Sequence, residues 1–149
     1  MNFYIINAEN ISYQLDESLR LRLDQNEFGR QHGLSVVSTL RDYKEGVLTI
    51  VTEMKYVALT PVAVLDVAQA RFLSSFEFIN PVILNAGVNA NALGILTECV
   101  HLAQAHAYSV FSVISNEKGL PHSGMELTPL ENFQPGLKAF LQEHHFPLN

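Results

Sequence analysis

The sequence predicts an α+β domain: a four-stranded antiparallel sheet followed by a long helix and a short C-terminal helix. Three observations carry that prediction. Residues up to about Ile79 alternate apolar and polar with the period of strands. Local turn signals separate these extended segments, which suits antiparallel neighbours. The segment Asn91–Ser115 is helical in its apolar spacing and carries one formal charge, Glu98. A helix resting one face on its own sheet is normally charged on the other. So bare a helix predicts cover on two sides, by its own sheet and by something else.

Phe3 to Leu15 reads as a long first strand, with Phe3, Ile5, Ile11, Tyr13 and Leu15 on one face and Tyr4, Ile6, Ala8, Asn10, Ser12 and Gln14 on the other. Leu19, Leu21 and Leu23 alternate with Arg20, Arg22 and Asp24, which predicts a short strand or extended arm. Phe28-Gly29 through His32-Gly33 breaks the pattern. Leu34 to Leu40 is a second strand. Tyr43-Lys44-Glu45-Gly46 is a hairpin turn with glycine where positive φ is wanted. Val47 to Leu59, rich in β-branched residues, is a third strand, ended by Thr60-Pro61 because proline cannot donate to a ladder. Val62 to Phe78 is a fourth, long enough to need a bend or bulge.

Both faces of this sheet carry apolar side chains. Strand three sets Leu48, Ile50, Met54 and Tyr56 against Val47, Val51, Val57 and Leu59; strand four sets Phe72, Phe76 and Phe78 against Leu65, Val67 and Leu73. One helix layer covers one face, so the other is expected to meet an oligomer partner or a ligand. Asn80-Pro81 to Asn89 reads as a crossover loop with an apolar centre, Val82, Ile83 and Leu84. In the long helix, Leu93, Leu96, Val100, Ala103, Ala107, Val110 and Ile114 form one stripe. Ile95, Cys99, Leu102, His106 and Val113 form a second, and Thr97, His101, Gln104, Tyr108, Ser112 and Ser115 form a polar strip. Gly119 stands in a C-terminal capping place. The last helix is expected from Gln134 or Pro135 to His144, with the proline in its first turn.

The 149 residues suit one domain, 1–149, with a real core. The chain is 48% hydrophobic and 16% charged, against about 25% charged for an ordinary domain. The missing charge again implies covered surface. The net charge of −6 argues against nucleic acid and anionic membranes, which need clustered Lys and Arg. A single cysteine, Cys99, permits no internal disulfide and suits a reducing compartment. The start of the chain lacks a signal-peptide pattern, and no apolar run of about 18 residues could span a membrane. The expectation is a cytoplasmic protein.

No catalytic signature stands out, and no enzyme activity, cofactor or metal is expected. His101 and His106 are about 140° apart around a helix and cannot easily share an ion. Cys99 and His106 share a face that is otherwise apolar, which leaves two ligands without two more. No third group stands near Cys99 to orient a base. Asp16, Glu17, Asp24 and Glu27 read as loop solvation rather than paired acid–base carboxylates. Gly87 to Gly94 has the wrong spacing for a phosphate loop.

Glu9-Asn10-Ile11-Ser12-Tyr13-Gln14 resembles the first strand of the SecB export chaperones, which typically read Lys-Asp-Ile-Ser-Phe-Glu. Val64-Leu65-Asp66-Val67-Ala68-Gln69, leading to Phe72 and Phe76, resembles the family's Leu-Cys-Glu-Val-Gln-Gln strand. Gly119-Leu120-Pro121, Leu127-Thr128-Pro129 and Phe133 follow the long helix in the family's order. The resemblance implies a Greek-key sheet backed by two helices, in an acidic cytosolic tetramer that binds unfolded polypeptide. It also implies a crossover loop that walls the client groove and helices that build the subunit interface. The family docks on the SecA motor through acidic residues on the sheet. At the matching positions Asn10 and Gln14 are neutral and only Asp66 keeps its acid, which weakens an electrostatic docking face and makes SecA docking doubtful. The family helix sequence Pro-Tyr-Ala-Arg-Glu is replaced by Ala103-Gln104-Ala105-His106-Ala107, and Phe146–Asn149 has no counterpart of the zinc tail.

These readings converge on a homo-oligomeric holdase, dimer or tetramer, that binds unfolded or extended apolar segments, with a possible link to export. Phe76, Phe78, Val82, Ile83, Leu84 and Leu120 are the candidate client-binding residues, and Asp66 the candidate motor-docking residue. Two alternatives stand beside it: an interaction protein of the same fold with one dedicated partner, such as a toxin–antitoxin or secretion component, and a small-molecule carrier or enzyme using a pocket between sheet and helix. The latter would need a buried ionisable pair, such as His106 with Glu98 or Asp66.

Overall fold

The structure is a computed structural model that describes residues 3–80, 90–121 and 130–143, with the backbone alone described at 90 and 130–134. The elements run β1 (Phe3–Leu15), α1 (Glu17–Asp24), β2 (His32–Lys44), β3 (Val47–Leu59), β4 (Val64–Phe78), α2 (Ala90–Glu117) and α3 (Leu130–Glu143). The four strands form one antiparallel sheet in the order β1-β4-β3-β2. β2, β3 and β4 follow one another as a meander, and β1 lies beside β4, which is a Greek key. The helices cover one face.

The β2–β3 hairpin turns on Glu45 and Gly46, with φ of 54° and 80°. Positive φ at both central residues gives the turn the right-handed twist of its strands. Pairing therefore continues to Lys44↔Val47, and β2 is longer at both ends than the predicted Leu34–Leu40.

α1 corrects the predicted strand or arm. Its alternation of leucine with charge is also an (i, i+4) pattern: Leu19 and Leu23 pack against the sheet-side core, while Leu21 stays exposed. The side chain of Asp16 accepts a hydrogen bond from the Leu19 N–H at 3.0 Å, an N-cap. Arg20 then bridges Glu17 at 2.7 Å and Asp24 at 2.9 Å along one helix face. Capping and paired charge favour the helix over an unpaired strand.

Bulges redistribute the faces of the sheet. In β1, Ile6 and Ile11 fall in register shifts against β4, so the helix-facing set is Phe3 and Ile5, then Ala8 and Asn10, then Tyr13 and Leu15. The predicted single face holding Phe3, Ile5, Ile11, Tyr13 and Leu15 is thus broken twice. β4 has its bulge at Val67, as its length required. There Leu65 pairs with buried Ala58 and joins the helix side, and Val67 is fully buried. Neither lies opposite the phenylalanines as predicted; of that trio only Leu73 does. The Asp16 N–H donates to the Val67 carbonyl at 2.8 Å, which anchors the start of α1 at the bulge.

The core lies between sheet and helices in two lobes. One gathers Phe3, Leu48, Ile50, Phe76 and Phe78 with Leu96, Val100, Leu137 and Phe140; the other gathers Met54, Tyr56, Phe72, Phe111 and Leu120. Between them run polar side chains. Ser38 and Thr52 hydrogen bond at 2.9 Å, and Gln104, 1% exposed, donates to Ser38 Oγ at 3.2 Å. At the far end of α2, Tyr13 and Ser115 share a hydrogen bond of 3.1 Å. Gln104 and Ser115, members of the polar strip of the long helix, are both buried, hydrogen bonded to Ser38 and Tyr13 of the sheet.

α2 ends in a Schellman motif: Leu120 N–H donates to Ser115 O, Gly119 N–H donates to Asn116 O, and Gly119 has φ of 81°. α3 starts earlier than expected, so Pro135 lies inside the helix rather than in its first turn. Leu137, Phe140 and Leu141 close the first lobe.

Candidate binding groove at a sheet edge

The sheet has two outer strands, β1 and β2. From Leu34 to Leu40, β2 pairs with β3 without interruption, until a register shift at Arg41. Leu34, Val36, Ser38 and Leu40 face the helix layer, opposite Tyr56, Met54, Thr52 and Ile50; Ser35, Val37 and Thr39 face the open side. No described strand pairs with the outer edge of this stretch.

A hollow lies on each side of it. On the helix side, a groove of about 350 Å³ runs between β2 and α3, rimmed by Leu40, Gly136, Ala139 and Glu143 over the buried Val100, Leu137 and Phe140. On the open side, a broad hollow of about 670 Å³ is lined by Ile11, Val37 and Val51 together with Arg41, Glu53 and Arg71. Thr39 and Leu40 border both. A strand edge of this kind offers backbone hydrogen bonds without sequence preference, and side chains of an added strand alternate between the two faces.

The residues singled out in the sequence sit elsewhere. Phe76, Phe78 and Leu120 are 1%, 4% and 4% exposed. Phe3 meets Phe76 and Phe78 edge to face at 5.5 and 6.0 Å, and Tyr43 meets Phe78 at 6.0 Å. Leu120 is drawn into the second lobe by the Schellman turn. In this chain these three are core rather than open groove lining. Val82, Ile83 and Leu84 lie outside the described residues. Asp66 is exposed on the open face, with its carboxylate 3.3 Å from Lys55, which also reaches Glu53 at 3.5 Å. The hydrogen bond to Asp66 raises the Lys55 pKa. The two neutral positions on β1 bind the sheet itself: Asn10 donates to the carbonyls of Ser12 and Arg71 around the Ile11 bulge, and Gln69 donates to Gln14 at 2.8 Å.

The helix-side groove residues lie within the predicted strand and last helix, but their meeting across the fold has no local signal in the sequence. For the edge itself the available signal was Glu45-Gly46, a two-residue hairpin loop that lengthens β2 and leaves it outermost.

Burial pushes the Cys99 thiol far above its ordinary range, with Glu98 adding to the shift, so it is a poor nucleophile. His106 is half-buried, and no hydrogen bond or ion pair joins it to Glu98 or Asp66 among the described residues. The described residues contain no group of three or more His, Cys, Asp or Glu able to hold a metal. A hollow between sheet and α2, lined by Tyr56, Phe111, Ser115 and Leu120, has about 20 Å³, room for a water rather than a metabolite. No helix among the described residues is long and apolar enough to cross a membrane.

No protein-family model matches the chain, and no curated protein matches it. Among solved structures it is similar to a SecB-like chaperone of Mycobacterium tuberculosis, determined in complex with a ChAD peptide from the HigA1 antitoxin. The identity is 12%, the TM-score 0.48, and the match covers 86% of this chain and 91% of that one. It is also similar to a protein of unknown function from Streptococcus agalactiae, at 12% identity and a TM-score of 0.29, over 87% of this chain and 98% of that one.

Proposed function

We propose that this protein is a chaperone-like holdase that binds extended, apolar-rich polypeptide by strand addition to the β2 edge. The observation that carries this reading is the uninterrupted stretch Leu34–Leu40, which no described strand partners on its outer side, with a hollow on each face along Val37–Leu40. Backbone pairing supplies affinity that does not depend on sequence, and burial of client side chains adds about 25 cal/mol per Å² of apolar surface. Binding of this kind needs no cofactor. A client held as a strand is also kept from pairing with another unfolded chain.

Self-association belongs to the same reading. Tyr4, Ile5, Ile6 and Ile11 are each half or more exposed on β1, and Leu102 and Val113 are exposed on an outer face of α2 otherwise made of small or polar residues and Glu98. A second copy covering these surfaces explains why so little charge stands on them.

The test is light scattering of a chemically unfolded, aggregating client with increasing amounts of this protein. The expected outcome is suppression that saturates at a fixed subunit ratio. No effect on several unrelated clients would sink general holding and favour one dedicated partner.

A further inference from the structure

Resting on the reading of β2 as a strand-accepting edge, we propose that the preferred client segment alternates apolar residues with a carboxylate, the carboxylate projecting onto the open face beside Arg41.

The two hollows differ in chemistry. The helix-side groove has the buried Val100, Leu137 and Phe140 beneath it, and its accessible apolar surface, at Leu40 and Ala139, meets apolar side chains. The open-face hollow carries two guanidinium groups, Arg41 and Arg71, and one carboxylate, Glu53. Glu53 already lies 3.5 Å from Lys55. Successive residues of an added strand point to opposite faces. Each client residue sent to the helix side is therefore followed by one on the open face, which carries the two arginines.

These arginines stand on a chain of net charge −6 with only nine Lys and Arg. A cationic spot on an acidic protein selects by sign, because the rest of the surface repels the same client. Geometry ranks the two. Arg41 is on β2 itself, one strand spacing of about 4.8 Å from an added strand, whereas Arg71 is on β4, two strands further in. The gap between them is about one Debye length at physiological salt, so the charge of Arg71 is felt weakly. Three acids limit the position. Asp42 follows the register shift, paired with Thr49 on the open face, Glu53 is paired with Val37, and Glu9 is paired with Leu73 on that face across the sheet. A client carboxylate is repelled beyond Arg41 and in the row of Val37 and Glu53, and is best placed opposite Thr39, which is paired with Val51.

The experiment uses the full chain and three fluorescent octapeptides with blocked ends. Valine alternates with glutamate in the first, with glutamine in the second and with lysine in the third. Anisotropy titration is expected to give affinities in the order Glu, Gln, Lys, with about three- to fivefold between the first two, the upper end of the range for one exposed charge pair. Arg41→Gln, an exposed substitution, should bring the affinities of the Glu and Gln peptides within about twofold of each other. Arg71→Gln should narrow the gap less, and added salt should narrow it in the parent protein. Equal binding of Glu and Gln peptides, or tighter binding of the Lys peptide, overturns the charge preference and leaves strand addition standing. Failure of all three peptides to bind overturns both.

Discussion

The two outer strands of the sheet differ in ways that assign them different work. β1 is interrupted at Ile6 and Ile11, and the Asn10 side chain reaches over the second interruption to the backbone carbonyls of Ser12 and its partner Arg71. Such bulges twist an edge and break its ladder, which protects against added strands. What β1 presents is apolar side chain: Tyr4, Ile5, Ile6 and Ile11. β2 presents the reverse, a regular backbone from Leu34 to Leu40 with space above and below along Val37–Leu40. A bulged edge with an apolar surface suits side-chain contact with a fixed partner. A regular edge beside open hollows suits backbone contact with a variable one.

The largest effect is expected behind the β1 edge. Phe76, paired with Ile5 and 1% exposed, should cost about 3–5 kcal/mol on replacement by alanine, measured by denaturant unfolding. A loss of that size identifies it as core, whereas unchanged stability with lost client holding would return it to the groove.

Alkaline titration touches both edges. Burial raises the pKa of Tyr13 on β1 and Tyr43 on β2, and of Tyr56 between them, above the ordinary 10.0. The folded state thus keeps protons that the unfolded chain releases. Stability is level below pH about 10 on this account and falls as pH rises through the folded values. The buried Cys99 thiol starts a similar decline from its ordinary 9.0. Thermal melts between pH 8 and 11 check this; stability rising in that window contradicts it.

A smaller effect belongs to the wall of the β2 groove. Gly136 lies inside α3, and a Cβ there meets nothing within 4 Å. Gly136→Ala should stabilise the protein by about 0.5–1 kcal/mol. Client affinity should stay within about twofold, because a methyl leaves most of the groove open.

Regular alternation and turn chemistry were legible in advance. β1 and β3 begin and end where their patterns do, and the α+β order, the turn at Gly46 and the cap at Gly119 follow from local residue types. The faces were less legible. A bulge inverts everything beyond it, and nothing local to Ile6, Ile11 or Val67 announces one. Leu19, Leu21 and Leu23 fit both a strand and a helix, and only the Asp16 cap with the Arg20 bridges decides between them. The burial of Gln104 was not legible because its partner, Ser38, is distant in sequence. The candidate groove was hidden for the same reason: it joins β2 to α3, and neither carries an unusual residue.

Amide hydrogen exchange with and without an alternating apolar peptide tests the central claim most directly, because it reads both edges at once. Strand addition predicts new protection confined to Leu34–Leu40, with Phe3–Leu15 unchanged. Protection on β1 instead, or peptide binding that leaves the β2 amides untouched, would contradict it.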